Sequence, residues 1–242
     1  MFDMPHTLRT PLEEARIRFD SGWRPDRLLG TENLKLLKGA AFGWKGAGLS
    51  MAPGDLSGYE VCASRSEECT THCLYTAGRG LIFTTQWARI VRAIWYFEDR
   101  KSFMRSLMAD IDRRRTSAIR LNVLSDIMWE RKHPEIFKEF PDVQFYDYTK
   151  HYKRMLKDRP DNYHLTFSVS ENNHRQARDV LAKGHNVAAV LAAPRQELWG
   201  YPVLDGDEHD LRFLDPKGHV VGLIPKGSMK RADSTMKIAL DI

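Results

Sequence analysis

The chain has 242 residues, 42% hydrophobic and 29% charged, with a net charge of +5 at neutral pH. That length can bury one large core or two small ones, and the composition belongs to a globular chain, not a disordered or collagenous one. No apolar run approaches the roughly 20 residues of a membrane-spanning helix, so no membrane partner is expected.

The start, Met1-Phe2-Asp3-Met4-Pro5-His6, has neither the basic residues nor the apolar stretch of a secretory leader. The expectation is a cytoplasmic protein, where thiolates stay reduced and open to metal. Residues 1–32 read as an N-terminal extension with a short helix through Leu12, Ala15, Ile17 and Phe19, broken at Ser21-Gly22-Trp23-Arg24-Pro25. Residues 34–37 and 48–51 read as short strands. A cysteine-bearing segment follows, and Ala77-Gly78-Arg79-Gly80 is a glycine-rich exit from it.

Two long helices come next. Thr84 or Thr85 can cap the first, whose apolar positions include Trp87, Ile90, Val91, Ile94 and Trp95. Asp99 can cap the second, which ends at Arg113-Arg114-Arg115. From there strand and helix patterns alternate: strands at 118–124, 143–148, 163–169 and 186–192, helices at 134–140, 151–157 and 174–183. Such alternation builds parallel strands joined by right-handed crossovers. The expected fold is therefore α/β, a partial or complete (β/α) barrel-like parallel sheet over residues 33–193, with an open doubly wound sheet as the alternative. Residues 194–242 read as a small antiparallel, β-rich C-terminal appendage, with strands at 201–204, 211–214 and 219–224.

All the cysteines fall within Cys62-Ala-Ser-Arg-Ser-Glu-Glu-Cys69-Thr-Thr-His-Cys73, a C-x6-C-x3-C spacing. If helical, Cys69 and Cys73 share a face, and the loop bearing Cys62 can fold back to deliver a third sulfur. Three thiolates suit an iron–sulfur cluster or a zinc ion; ordinary buried thiols are the plain alternative. On a four-iron cluster, three cysteines leave one iron open to a non-protein ligand.

Chemistry in parallel β/α folds gathers at the carboxyl ends of the strands. Polar residues recur there: Asn122, Ser125 and Asp126; Asp147, Tyr148, Thr149 and Lys150; Ser168, Ser170, Glu171 and Asn172. Asp147 within Phe-Tyr-Asp-Tyr stands out, because a carboxylate in an aromatic strand needs a partner. It reads as a ligand-binding or proton-handling group, or else as an ion pair with Arg120 or Lys150. Asp126, Asp147 and Glu171 could also serve a metal-dependent nuclease. Asp205-Gly-Asp207-Glu-His-Asp210 departs from the calcium-loop pattern and reads as a solvated turn. His133, His151, His164 and His185 lack zinc-hydrolase spacing, and no phosphate-cradling glycine loop or nucleophile elbow is present. Basic runs at 113–115, 150–159 and 226–231 suit nucleic acid, or simply helix ends.

A strand followed by a cysteine triplet and a run of β/α units resembles the radical S-adenosylmethionine enzymes, although their usual spacing is C-x3-C-x2-C. The closer resemblance is to a poorly characterised family of phage-encoded proteins. It rests on Leu49-Ser-Met-Ala-Pro53, Val61-Cys62, Cys69, Cys73, Ala77-Gly-Arg-Gly80, Arg120-Leu-Asn122, Ser125-Asp-Ile127, Phe140-Pro-Asp-Val-Gln-Phe-Tyr-Asp-Tyr-Thr-Lys150 and Tyr163-His-Leu-Thr-Phe-Ser168, with Asp205-Gly-Asp207 and Asp210-Leu-Arg-Phe-Leu-Asp-Pro216 downstream.

Together the resemblances imply a four-iron, four-sulfur cluster on Cys62, Cys69 and Cys73, with S-adenosyl-L-methionine as cofactor. The cofactor would lie near Asn122, Asp126, Ser168 and Glu171, with Asp147 and Tyr148 as catalytic candidates. They also imply an electron donor as partner, and an isomerase or transferase. Phages that rebuild amino-acid-decorated thymines with radical enzymes suggest modified bases in DNA as the substrate. The alternative is a binding protein for nucleic acid or a host protein, pinned by a structural zinc or cluster.

Overall fold

The structure is a computed structural model that describes residues 9–31, 34–231 and 233–238. The Met1-to-His6 stretch read above lies outside the described residues.

Helix α1 (Pro11–Asp20) opens with a capping box, in which Thr10 and Glu13 satisfy each other's backbone N–H groups. It packs along helix α4 (Phe83–Glu98), where Trp23 meets Trp87 edge-on at 4.9 Å and Arg16 reaches Glu98 at 2.7 Å. The Asp99 carboxylate accepts from the Ser102 backbone N–H at 3.2 Å and starts α5 (Arg100–Arg114), as the sequence suggests. Thr84 and Thr85 do not cap α4. It begins one residue earlier behind Ile82, which offers no side-chain acceptor, and the Gln86 side chain instead ties the first turn to the Gly80 carbonyl at 2.8 Å.

Among the described residues nine strands make the sheet: β1 (Leu29–Gly30), β2 (Gly46–Leu49), β3 (Ala118–Arg120), β4 (Gln144–Thr149), β5 (Tyr163–Ser168), β6 (Val187–Val190), β7 (Glu197–Leu198), β8 (Tyr201–Asp205) and β9 (Val220–Leu223). Their order is β1-β2-β3-β4-β5-β6-β9-β8-β7. Pairing is parallel from β2 to β8 and antiparallel only where β1 and β7 join at the two ends. The fold class read from the sequence is thus present: an α/β protein with a mostly parallel sheet and a short antiparallel edge.

Four local expectations are corrected. The 34–37 stretch is helix α2 (Leu34–Lys38), and 212–214 is a single 3-10 turn. Strands β8 and β9 run parallel to each other and to β6. The turn signals around 205–207 and 216–218 suggest a hairpin, but the chain between them crosses the sheet face before re-entering, and such a crossover reverses the strand sense. In the cysteine segment, helix α3 (Glu67–Thr71) ends at His72, so Cys73 lies beyond it.

Register sorts the sheet into two faces. Tyr146 stands beside His164 and Tyr148 beside Thr166, while Phe145 stands beside Ile119 and Tyr163, and Asp147 beside Leu165. The Phe145 face carries the main core against the helices; Phe137 of α7 (Glu135–Glu139) meets Phe145 edge-on at 4.9 Å. The Tyr146 face is covered by the 206–219 crossover and α2, where Leu36, Ala118, Tyr146 and Leu211 form a second cluster. Arg120 and Asp210 pair across that layer at 3.0 Å, the Tyr148 hydroxyl donates to Asp210 at 3.1 Å, and the Arg120 guanidinium lies over the Tyr148 ring at 4.6 Å.

Candidate metal centre

The chain leaves β2 at Leu49 and does not reach α4 until Phe83. This connection holds the three cysteines, and hydrogen bonds lay it across the carboxyl ends of the parallel strands. Beyond β3, the Asp126 backbone N–H donates to the Val61 carbonyl at 2.8 Å and the Cys62 thiol approaches the Leu124 carbonyl at 3.5 Å. Beyond β5, the Glu171 carboxylate accepts from the Ser66 hydroxyl at 2.8 Å and from the Glu68 backbone N–H at 3.2 Å. Ser66 is itself the N-cap of α3, its oxygen accepting from the Cys69 backbone N–H at 3.2 Å.

The far side is closed by C-terminal residues. His72 Nδ1 meets the Ser228 hydroxyl at 2.9 Å, and the Ser234 hydroxyl donates to Glu68. The glycine-rich exit serves close approach: a Cβ at Gly80 would lie 2.0 Å from the Tyr75 carbonyl oxygen, and Gly78 sits at φ +54°.

The thiols are half-buried and unpaired by any disulfide. Burial pushes the Cys62 thiol up to about 12; the Gly54 backbone N–H draws it down, and Asp126, Cys69 and Cys73 push it further up. Burial also raises Cys73, against the Tyr75 backbone and the cations Lys150 and Arg89, with Cys69 adding to the rise. The Cys62 and Cys73 thiolates therefore resist forming, and a bound cation would reverse that balance.

As a donor set, three cysteines suit a soft, thiophilic metal or an iron–sulfur cluster. Yet among the described residues no three His, Cys, Asp or Glu side chains gather as a metal-binding group. The segment thus brings the sulfurs into mutual electrostatic range without presetting a closed single-ion site.

The strand-end residues are placed as follows. Asn122 is buried and fully engaged: its backbone N–H and side-chain amide donate to the two Asp147 oxygens at 2.7 and 3.1 Å. Its side-chain oxygen accepts from Ser125, Ile127 and Trp129. Asp147 has no exposed surface, and Tyr163 donates to it at 2.8 Å. Neither Arg120 nor Lys150 is its direct partner, so the ion-pair expectation is corrected; the backbone pleat turns Asp147 toward the helices and Arg120 toward Asp210. Burial lifts the Asp147 carboxyl to about 7, against the pull of Arg120, Arg154 and its hydrogen-bond donors.

Asp126 is held by Arg154 at 2.9 Å and by the Lys150 backbone N–H at 2.9 Å. Ser168 accepts from the Lys150 ammonium at 2.9 Å, on the Tyr148 side of the sheet. The three carboxylates of the nuclease alternative are therefore spread over separate structural contacts. Asp210, read as part of a solvated turn, is buried in the Arg120–Tyr148 layer.

Sequence reasoning missed several groups that shape the site. Arg154 is buried inside a run read as basic surface, where it binds Asp126, Glu130 and the Tyr163 hydroxyl. Lys150, read as a strand-end polar residue and a possible partner of Asp147, instead donates to Ser168. Ser66 carried a usable signal, a serine just before Glu67-Glu68 at a helix start.

Among the described residues no helix is long and apolar enough to cross a membrane. Fold and site define an α/β protein with a cysteine-bearing connection laid over the carboxyl edge of a parallel sheet. The chain belongs to the family described as Gene product 88, a phage-encoded family whose model matches residues 26–239. Neither the curated proteins nor the solved structures contain a match to it.

Proposed function

We propose that the protein is an iron–sulfur enzyme of the radical S-adenosylmethionine kind, acting on a modified base in phage DNA. The observation that carries this reading is the position of an all-cysteine donor set across the carboxyl ends of parallel strands, where ligands of such sheets bind. Cys62, Cys69 and Cys73 would hold a four-iron cluster. When bound, the cluster would pass an electron from an external donor to S-adenosyl-L-methionine and cleave it.

The chain's own part is placement and shielding. Glu171 and Ser66 fix the helix that carries Cys69, and the Asp126 backbone fixes the strand-end loop against Val61 beside Cys62. Lys150, whose charge bears on the Cys73 thiol, and Ser168, which accepts from it, are the groups we assign to the cofactor. Asn122 and Asp147 act from beneath, holding the β3 and β4 ends in register.

Anaerobic reconstitution with iron and sulfide tests this directly. The expected result is a brown protein with about four irons per chain that cleaves S-adenosyl-L-methionine when reduced and loses its iron when the three cysteines become alanine. A wild-type protein that stays colourless and iron-free sinks the proposal.

A second reading is a nucleic-acid-binding protein pinned by a structural zinc. It is favoured by one observation: Asp126, Asp147 and Glu171 are all engaged in holding loops, and a binder needs no free acid at the strand ends. Stoichiometric zinc without cofactor cleavage identifies it.

A further inference from the structure

The opposite, amino-terminal edge of the sheet carries a second feature. The loops that enter β5, β6 and β9 meet there, and between the first two lies a recess of about 350 Å³. Lys157, Arg159, Lys183 and His185 line it, with Asp158 as its one carboxylate. Lys183 is answered by Asp179, and one Arg159 nitrogen donates to the Met155 carbonyl at 2.9 Å, closing the end of α8 (Tyr152–Met155). Those contacts account for Lys183 and for half of Arg159. Lys157, His185 and the Arg159 guanidinium make no ion pair among the described residues.

The cations also bear on one another. His185 is held below its ordinary value by burial and then by Arg159 and Lys217. His164, one strand residue inward, is pushed down to about 4 by burial, with Arg159, Arg212, His185 and Lys217 adding to the effect. A concave site whose positive side chains, Lys157, Arg159 and Lys183, outnumber its one carboxylate favours an anionic ligand. Arginine with lysine and imidazole donors is the set that recognises a tetrahedral oxyanion.

We propose that this recess binds a phosphate group, with Arg159 as the principal donor and Lys157 and His185 beside it. The site lies at the opposite end of the strands from the cysteine segment and does not depend on any metal there. Its phosphate could come from a nucleic-acid backbone or from a free phosphate or nucleotide; the chemistry of recognition is shared.

The test uses the full chain. Inorganic phosphate and a short single-stranded oligonucleotide are titrated separately by calorimetry, against wild type, Arg159→Gln and Lys157→Gln, with circular dichroism confirming the fold. Saturable binding that weakens about tenfold in Arg159→Gln, the equivalent of one charge-assisted contact, supports the site. If the oligonucleotide binds more tightly, with a steep salt dependence and competition by phosphate, the source is a nucleic-acid backbone. If phosphate binds and the oligonucleotide does not, the source is a small phosphorylated ligand. No binding of either by wild type, or binding equal in wild type and both folded variants, overturns the proposal. Should Arg159→Gln fail to fold, Lys157→Gln, which changes an exposed side chain, carries the same comparison.

Discussion

Asp147 shows how much one residue can be asked to do. Its carboxyl sits in an aromatic strand with no exposed surface, taking hydrogen bonds from Asn122 and Tyr163. Burial raises it from an ordinary 3.8 to about 7. The folded protein thus keeps a proton that the unfolded chain has already lost, so this group's stabilising contribution is complete below about 3.8 and is lost as pH rises through about 7. Asp147→Asn removes the titration and disturbs the donors around it, at a cost of about 1–3 kcal/mol at acid pH. Urea denaturation at about pH 5 and about pH 8 should show wild type losing stability relative to the variant as pH rises. Parallel profiles for the two proteins would contradict this account. The sequence marked Asp147 as a carboxylate in need of a partner; which partner depended on the pleat and on what packed beneath, and neither is local.

At the scale of elements, α3 is too short to stand by itself; a single turn gains little from its own hydrogen bonds. It is fixed instead by Ser66 at its cap and by Glu171, which reaches across from the turn after β5. Glu171→Gln should loosen that turn by about 1–2 kcal/mol, and alkylation of Cys69 in the metal-free protein should quicken about fivefold to thirtyfold. Peptide mass spectrometry reads each cysteine separately; an unchanged Cys69 rate would mean that Glu171 does not hold the helix. The same scale explains why the i, i+4 pairing of Cys69 and Cys73 was misleading. The spacing fits a helix, but the helix stops at His72, and Cys73 opens the next 3-10 turn.

For the molecule as a whole, a buried polar layer joins the sheet to the crossover that covers it. Arg120 is buried against Asp210, and Tyr148 shares that carboxylate. Asp210→Asn leaves the Arg120 cation without its counter-charge, a loss of about 3–5 kcal/mol of global stability, visible as a lower urea midpoint in a single transition. A midpoint within about 0.5 kcal/mol of wild type would show that the layer is dispensable. Strands β8 and β9 are likewise part of the main sheet, since β9 pairs with β6 and β8 with β9. A chain ending at 193 should be insoluble, because it bares the β6 edge and uncovers the Tyr146 face. A soluble, folded truncation would restore the reading of a detachable appendage.

The sequence by itself determined the alternation of strand and helix after residue 118, the α/β class and the concentration of all three thiols in one connection, because periodicity and spacing are local and survive without knowledge of neighbours. Tertiary structure alone decided that β8 and β9 run parallel, that Asp210 lies beneath the crossover and that Glu171 supports the Cys69 helix. These depend on segments far apart in the chain meeting across a sheet, and a turn signal or a run of charges reads the same whether the chain folds back on itself or crosses to another strand.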